Sequence, residues 1–481
     1  MTHPRHLTPL AVFPQLPAVP PAGQAPVDPS TRRAAIVVAT LGSFLTPFTA
    51  SAVNIALPAI GRDFPVSAVT LGWVLTAALL PAAALVVPLG RLADLHGRRR
   101  VFLAGVVVFT LASLAAALAQ SVGQLIVARV VMGMGAAAIF GTGVAIVTSV
   151  LPPGERGRAL GLNVAAVYLG LSIGPFVGGW LTSAVGWRSV FVANVPLGAL
   201  MAALVVWRLK GEWAGARGER YDLVGAFLYV VTQVALLGGL TRLPSISGVW
   251  LASAGVLGLA AFVWWELRTS SPILEMHLLR RNTVFAMSSL AALINYAATS
   301  AVGFLLSLYL QYLRGLSPAQ AGLVLLAQPV TMTLLSPVAG GLSDRVEPRV
   351  LASVGMGLCA AGLAALTPLG AETPIPYVVG CLVLLGVGFG LFSSPNTNAV
   401  MGTVEQRQYG VAAGFLGAMR LTGQVLSMGV AMLIFAVYLG PTVVKAAPPD
   451  LLVKGTRTAF GLFALLCAVG VFPSLARGKV R

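Results

Sequence analysis

From residue 34 onward, long apolar runs alternate with short polar breaks. The runs are continuous and lack the period-two alternation of barrel strands. A helix of roughly 20 apolar residues crosses the hydrocarbon core of a bilayer. The pattern predicts fourteen such helices, over 34–60, 67–89, 101–120, 122–150, 158–183, 188–207, 222–241, 248–266, 283–312, 318–342, 350–369, 376–397, 410–438 and 457–475. The fold class is therefore an all-α polytopic membrane protein. Residues 1–33 are rich in proline, which opposes a regular helix, and are expected to form a disordered tail. Residues 476–481 form a second, short tail.

Composition agrees with the pattern. Of 481 residues, 57% are hydrophobic and 9% charged, against roughly 25% charged in soluble domains. A soluble enzyme and a disordered chain are both excluded. The net charge of +17 would suggest nucleic acid in a soluble protein, but here its distribution matters more. With an even number of spans both termini share a side. If that side is cytoplasmic, Lys and Arg favour it by about three to one. The expected location is the inner (plasma) membrane, with both termini cytoplasmic and no nucleic-acid partner. Three cysteines and four histidines are scattered without ligand spacing, so neither a metal site nor a disulfide framework is expected. No nucleotide-binding Gly-rich loop is present. No cluster of nucleophile, paired acids or metal ligands marks an enzyme.

Two loops repeat each other. Gly90-Arg-Leu-Ala-Asp94-Leu-His-Gly97-Arg98-Arg99-Arg100 follows the second span, and Gly340-Gly-Leu-Ser-Asp344-Arg345-Val-Glu-Pro-Arg349 follows the tenth. Gly90, Leu92, Asp94 and Arg99 match Gly340, Leu342, Asp344 and Arg349. Parallel halves related by an axis along the membrane normal are a transporter architecture, with the substrate path between them. The organisation predicted is a six-helix half over 34–207, an inserted helix pair over 208–267, and a second six-helix half over 268–475.

These residues make the sequence resemble the major facilitator superfamily. The Gly90–Arg100 loop is similar to its motif between helices 2 and 3. The resemblance implies a gating role for Gly90, Asp94, Gly97, Arg98 and Arg99, and for Asp344 and Arg345 in the repeat. Asp94 is expected within reach of basic residues and a helix N-terminus in the same half, in contacts that can lock the cytoplasmic ends of the halves together in one state. Arg129-Val-Val-Met-Gly133-Met-Gly135 in span 4 is similar to the family's helix 4 motif. Gly170-Leu-Ser-Ile-Gly174-Pro175-Phe-Val-Gly178-Gly179 in span 5 is similar to the motif of antiporter-type exporters. Asn54-Ile-Ala-Leu-Pro58, Trp187-Arg188, Glu266-x-Arg268 and Ser394-Pro395-Asn396 resemble the fourteen-span drug–proton antiporters. The resemblance implies export of drugs or small amphipathic metabolites by alternating access, driven by a proton gradient and needing no bound cofactor. Its partners are the bilayer and a small-molecule substrate, and a monomer is the expected unit.

One departure bears on mechanism. Members of that family often carry an Asp in span 1 where this chain has Thr49. All 14 acids fall in tails, loops or span ends, whereas proton coupling calls for a titratable group at depth. The sequence leaves three readings open: protons coupled through Asp94 or Asp344, another coupling ion or counter-substrate, or an uncoupled facilitator or exchanger. A sensor that has lost transport is a remoter alternative. Arg129 and Arg420 are the ionised groups at depth, an arrangement favouring neutral or anionic cargo. Thr49, Asn54, Arg129, Tyr168, Asn295, Tyr296, Gln328, Arg420 and Gln424 are the candidate cavity and coupling residues. They lie on spans 1, 4, 5, 9, 10 and 13, which the resemblance implies as cavity walls together with spans 2 and 12.

Overall fold

The computed structural model describes residues 28–478, apart from 217, 270, 275, 344, 405–408, 441, 444 and 445. Its helices include fourteen long and apolar enough to span a membrane: α1 (Pro29–Asp63), α2 (Ala68–His96), α3 (Arg98–Ala117), α4 (Val122–Val150), α5 (Gly161–Ala184), α6 (Arg188–Trp207), α7 (Leu223–Leu240), α8 (Ile246–Glu266), α9 (Thr283–Leu313), α10 (Pro318–Ser343), α11 (Pro348–Ala365), α12 (Ile375–Met401), α13 (Val411–Leu439) and α14 (Pro449–Ala476).

Local chemistry sets several of the ends. Side chains of Ser67, Ser121, Ser245 and Asn282 each accept an amide from the first turn that follows, satisfying a donor with no intrahelical partner. Ser317 and Gln320 form a reciprocal capping box at the start of α10. Proline supplies the first turn of α1, α11 and α14, where its missing N–H costs nothing. The start of α1 corrects the boundary expected at residue 34. Pro29 initiates the helix instead of preventing it, so Arg32 and Arg33 lie on its first turns and not in a tail. The rest of the proposed tail, residues 1–27, lies outside the described residues.

The two halves pack alike. In the first, α1 lies on α5, α2 on α4, α3 on α4 and α3 on α6; in the second, α9 lies on α13, α10 on α12, α11 on α12 and α11 on α14. The seam between halves follows the same symmetry, with α2 against α13 and α5 against α10. The inserted helices α7 and α8 pack on each other, and α7 also reaches α2 and α13. α9 is not regular throughout: its last turn, Tyr309–Leu313, is a π-helix, a form found mostly at functional sites.

Because α1 begins at the chain's start and spans alternate, one face carries both described chain ends. It is called the terminal face below, and the other the opposite face. The C-terminal tail also needs correction. Arg477, expected among solvated tail charges, is fully buried. It donates to Ser474 O at 2.9 Å, to Asn396 Oδ1 at 2.9 Å and to Ser288 Oγ at 3.1 Å. That network pins the end of α14 to α9 and α12.

Candidate functional site

A cavity of about 200 Å³ lies at mid-depth between the halves. Its walls come from α1, α2, α4 and α5 on one side and from α9, α10, α12 and α13 on the other. Among the described residues that line it there is no Asp, Glu or His, but there are two arginines.

Arg129 on α4 is 3% exposed. Its Nε donates to Val74 O at 2.9 Å, where α2 passes. A guanidinium has five N–H donors, so most of this fork remains available to the cavity. Arg420 on α13 sits between aromatic faces, 5.5 Å from the Tyr296 ring centre and 5.9 Å from that of Phe140. Cation–π attraction at this range holds a guanidinium without neutralising it. Neither arginine forms an ion pair among the described residues.

Aromatic and amide groups complete the walls. Tyr168 OH bonds Ser393 Oγ at 2.8 Å across the seam. Tyr296 packs edge-on to Phe389. Asn54, Gln328 and Gln424 supply amides, and Asn54 Oδ1 is buried with no hydrogen-bond partner. The apolar lining with a few placed polar groups is that of a small-molecule site.

Toward the opposite face the halves are stitched together. Ser307 Oγ donates to Asn54 O at 2.7 Å, Gln311 Nε2 to Ile55 O at 3.0 Å, and Tyr312 OH to Pro58 O at 3.1 Å. Ala319 N donates to Ser183 Oγ at 3.1 Å, and Ser67 pairs with Val443 in a β-bridge. Among the described residues, the hydrogen bonds crossing the seam thus concentrate on that side, from mid-depth outward.

The glycines of α5 explain how close the helices come. Side chains added at Gly170, Gly174 or Gly178 would meet α1, the first two at the backbone of Phe44 and Phe48 and the third at Ala52. Gly179 points the other way: a Cβ there would lie 2.5 Å from Pro318 O, across the seam. Pro175 O in turn faces Gly322 of α10. The span 5 motif therefore builds one interface within a half and another between halves.

The Gly90–Arg100 loop forms a clasp on the terminal face. Gly97 adopts φ +118°, open to glycine, and turns the chain from α2 into α3. Gly90 packs on Gly141 of α4. Arg98 binds Asp94 Oδ1 at 2.7 Å and donates to Ala145 O at 3.0 Å and to Ser149 Oγ on α4. Ala216 N donates to Asp94 O at 3.0 Å, and Arg98 N to Trp213 O at 2.9 Å. Glu212 accepts Arg99 N at 2.8 Å. The Arg99 side chain donates to Val205 O at 3.3 Å. Asp94 meets its basic partner, Arg98, within the same half. These contacts tie the loop to its own half and to the strap from α6 to α7, because Asp94 is already engaged by Arg98. Of the repeat, Asp344 lies outside the described residues, and Arg345 is exposed.

Two cavity candidates are also corrected. Thr49 is buried and donates to Leu45 O at 2.8 Å and to Asn194 Oδ1 at 2.9 Å. It fastens α1 to α6, facing away from the cavity. Asn295 is fully buried off the cavity wall, with its amide atoms unpartnered. Asn54, Arg129, Tyr168, Tyr296, Gln328, Arg420 and Gln424 all line the cavity. Sequence reasoning missed Glu266, treated as a span-end acid, which is 1% exposed.

The profile of the Major Facilitator Superfamily matches residues 39–263 and 288–479. The chain belongs to that superfamily. It is 34% identical over 432 residues to the multidrug resistance protein Stp of Mycobacterium tuberculosis, covering 87% of this chain and 79% of that protein. It is 33% identical over 465 residues to the cephamycin export protein CmcT of Amycolatopsis lactamdurans, covering 93% and 94%. It is 28% identical over 385 residues to the riboflavin transporter RibZ of Clostridioides difficile, covering 80% and 84%. Among solved structures, a bacterial homologue of the human lysosomal transporter Spinster superposes with TM-score 0.68 at 16% identity, covering 94% of this chain and 97% of the other. The xylose transporter XylE of E. coli gives 0.62 at 14%, covering 92% and 97%. The chain is thus a multi-pass membrane transporter of that superfamily, and not an enzyme.

Proposed function

We propose that this transporter exports small amphipathic compounds of anionic or neutral character by alternating access, drawing on a proton gradient. The observation that carries this reading is the central cavity, which holds two arginines and no carboxylate. Inside a low-dielectric cavity, uncompensated positive charge attracts an anion and repels a cation. Tyr168, Tyr296 and Phe389 supply faces for a flat apolar body, and the amides give it orientation. The cavity is smaller than the roughly 300–1,000 Å³ of most small-molecule sites. Cargo of drug size enters only when the halves part further, and the sparser bonding toward the terminal face among the described residues makes that the side to open. With the termini cytoplasmic, loading occurs from the cell interior. The Asp94–Arg98 clasp holds α2, α3 and α4 as one rigid unit through this motion.

Names of relatives support the class: Stp for multidrug resistance and CmcT for cephamycin export. The riboflavin transporter, together with a cavity free of acids, favours a second reading, a facilitator or exchanger of neutral or anionic metabolites. Proteoliposomes separate the two. Matched anionic and cationic aromatic probes are followed with and without an imposed pH gradient. Export predicts anion movement accelerated by the gradient; the second reading predicts anion movement indifferent to it.

A further inference from the structure

We propose that Glu266 and Asp222 form a proton-binding site at the base of the inserted helix pair, outside the cargo cavity. The inference deepens the proton-coupled reading, which otherwise lacks a group to carry the proton.

Among the described residues, Glu266 is the one carboxylate with a relative exposure as low as 1%. Its Oε2 accepts Leu274 N at 2.9 Å. Its Oε1 is buried and has no hydrogen-bond partner. Asp222, ahead of α7, is engaged at both oxygens: Oδ1 accepts Gly225 N at 2.8 Å and Oδ2 accepts Trp265 Nε1 at 2.8 Å. The two acids converge. A single methyl group placed on Gly225 would touch both Asp222 Oδ2 and Glu266 Oε1.

No cation among the described residues neutralises the pair. Arg268, two residues beyond Glu266, lies over the Trp264 ring at 4.3 Å. Arg220, Arg280 and Arg281 are exposed. Glu219 is paired with Arg91, and Tyr221 directs its hydroxyl to Pro88 O. Glu275 and the side chain of His277 lie outside the described residues. A buried carboxylate that faces a second carboxylate without a cation is costly when ionised. A proton taken from water at the terminal face removes that cost. It resides on Glu266 Oε1, beside the Asp222 carboxylate, and its release returns Glu266 to a carboxylate.

Position links this site to the transport cycle. α7, which Asp222 caps, donates from Tyr229 OH to Ala83 O of α2 at 3.3 Å, and from Gln233 Nε2 to Thr422 Oγ1 of α13 at 3.3 Å. It therefore touches both halves. Glu266 in turn holds Leu274, on the segment that leads into α9. Adding or removing the proton alters the junction between the inserted pair and the second half, and so biases which arrangement of the halves is stable.

The test uses purified full-length protein. Infrared difference spectra between about pH 5 and 9 read the carboxyl C=O band of a protonated acid. We expect such a band in the wild type, its loss in E266Q, and its disappearance at lower pH in D222N. D222N keeps both Glu266 and a capping side chain, so it serves if E266Q does not fold. A band unchanged in both variants, or absent from the wild type, overturns the site. In proteoliposomes loaded with an anionic aromatic dye, E266Q should move dye down its own gradient but lose acceleration by a pH gradient; full acceleration in E266Q overturns the coupling role. A wild type that ignores the pH gradient yet shows the Glu266 band refutes proton-driven export while upholding the proton site.

Discussion

Gly179 gives the sharpest test of how the halves close. A Cβ at this position would lie 2.5 Å from Pro318 O and 3.1 Å from its carbonyl carbon, both backbone atoms of α10. Backbone cannot rotate aside as a flexible side chain can. Overpacking of this kind costs about 1–3 kcal/mol. The cost falls only on the state in which α5 and α10 meet toward the opposite face. At 1.4 kcal/mol per tenfold, Gly179→Val should shift the balance toward the opposite-open state by about 5- to 150-fold. The assay introduces S183C and A319C, where the parent residues are joined by a 3.1 Å hydrogen bond, and measures cross-linking in membranes. Gly414→Ala is the control, since nothing lies within 4 Å of its added methyl. Cross-linking should drop in G179V and hold in G414A. Equal cross-linking in G179V and the parent would refute the claim that this seam is a closed gate.

Three further outcomes follow from named contacts. Arg477→Ala removes a buried guanidinium and strands Asn396 Oδ1, which should cost about 1–3 kcal/mol. Because Cys359, Cys381 and Cys467 are all buried, a thiol-reactive dye reports unfolding, and its transition should move down by several degrees while the wild type stays protected. Thr49→Val breaks the bond to Asn194 and should destabilise by about 1–3 kcal/mol, with probe affinity unchanged in a binding titration. Asp94→Asn weakens the pair with Arg98 and should slow transport in proteoliposomes by about tenfold while membrane insertion is retained; wild-type rates would remove the clasp from the mechanism.

Most of the fold was legible because a bilayer imposes one strong rule. Backbone polar groups must be satisfied within each span, so apolar length reads directly as helix. The loops at Gly90 and Gly340 exposed the repeat, and the matching packing of α1 on α5 and α9 on α13 is its physical form. Depth along a span put Arg129, Arg420 and Tyr296 near mid-membrane, and all three line the cavity. Depth says nothing about rotation around the helix axis, and both Thr49 and Asn295 were misread for that reason. Thr49 turns toward Asn194, and Asn295 into the packed interior. Burial at span ends was illegible for a related reason. A charge near a span end reads as solvated, yet Glu266 and Arg477 are covered by segments far away in sequence, Leu274 in one case and Ser288 with Asn396 in the other.

In the proposed function Arg129 and Arg420, unbalanced by any acid among the described residues that line the cavity, select the cargo. Reconstituted protein should be given two aromatic probes of equal size, one carboxylate and one quaternary ammonium, and their transport compared in wild type, R129Q and R420Q. A charge-assisted hydrogen bond is worth about 1.5–3 kcal/mol, or roughly 10- to 150-fold in affinity. The wild type should favour the anion, and each variant should lose anion transport by about that factor without losing its fold. A wild type that prefers the cation, or variants that carry the anion at the parental rate, would contradict the claim.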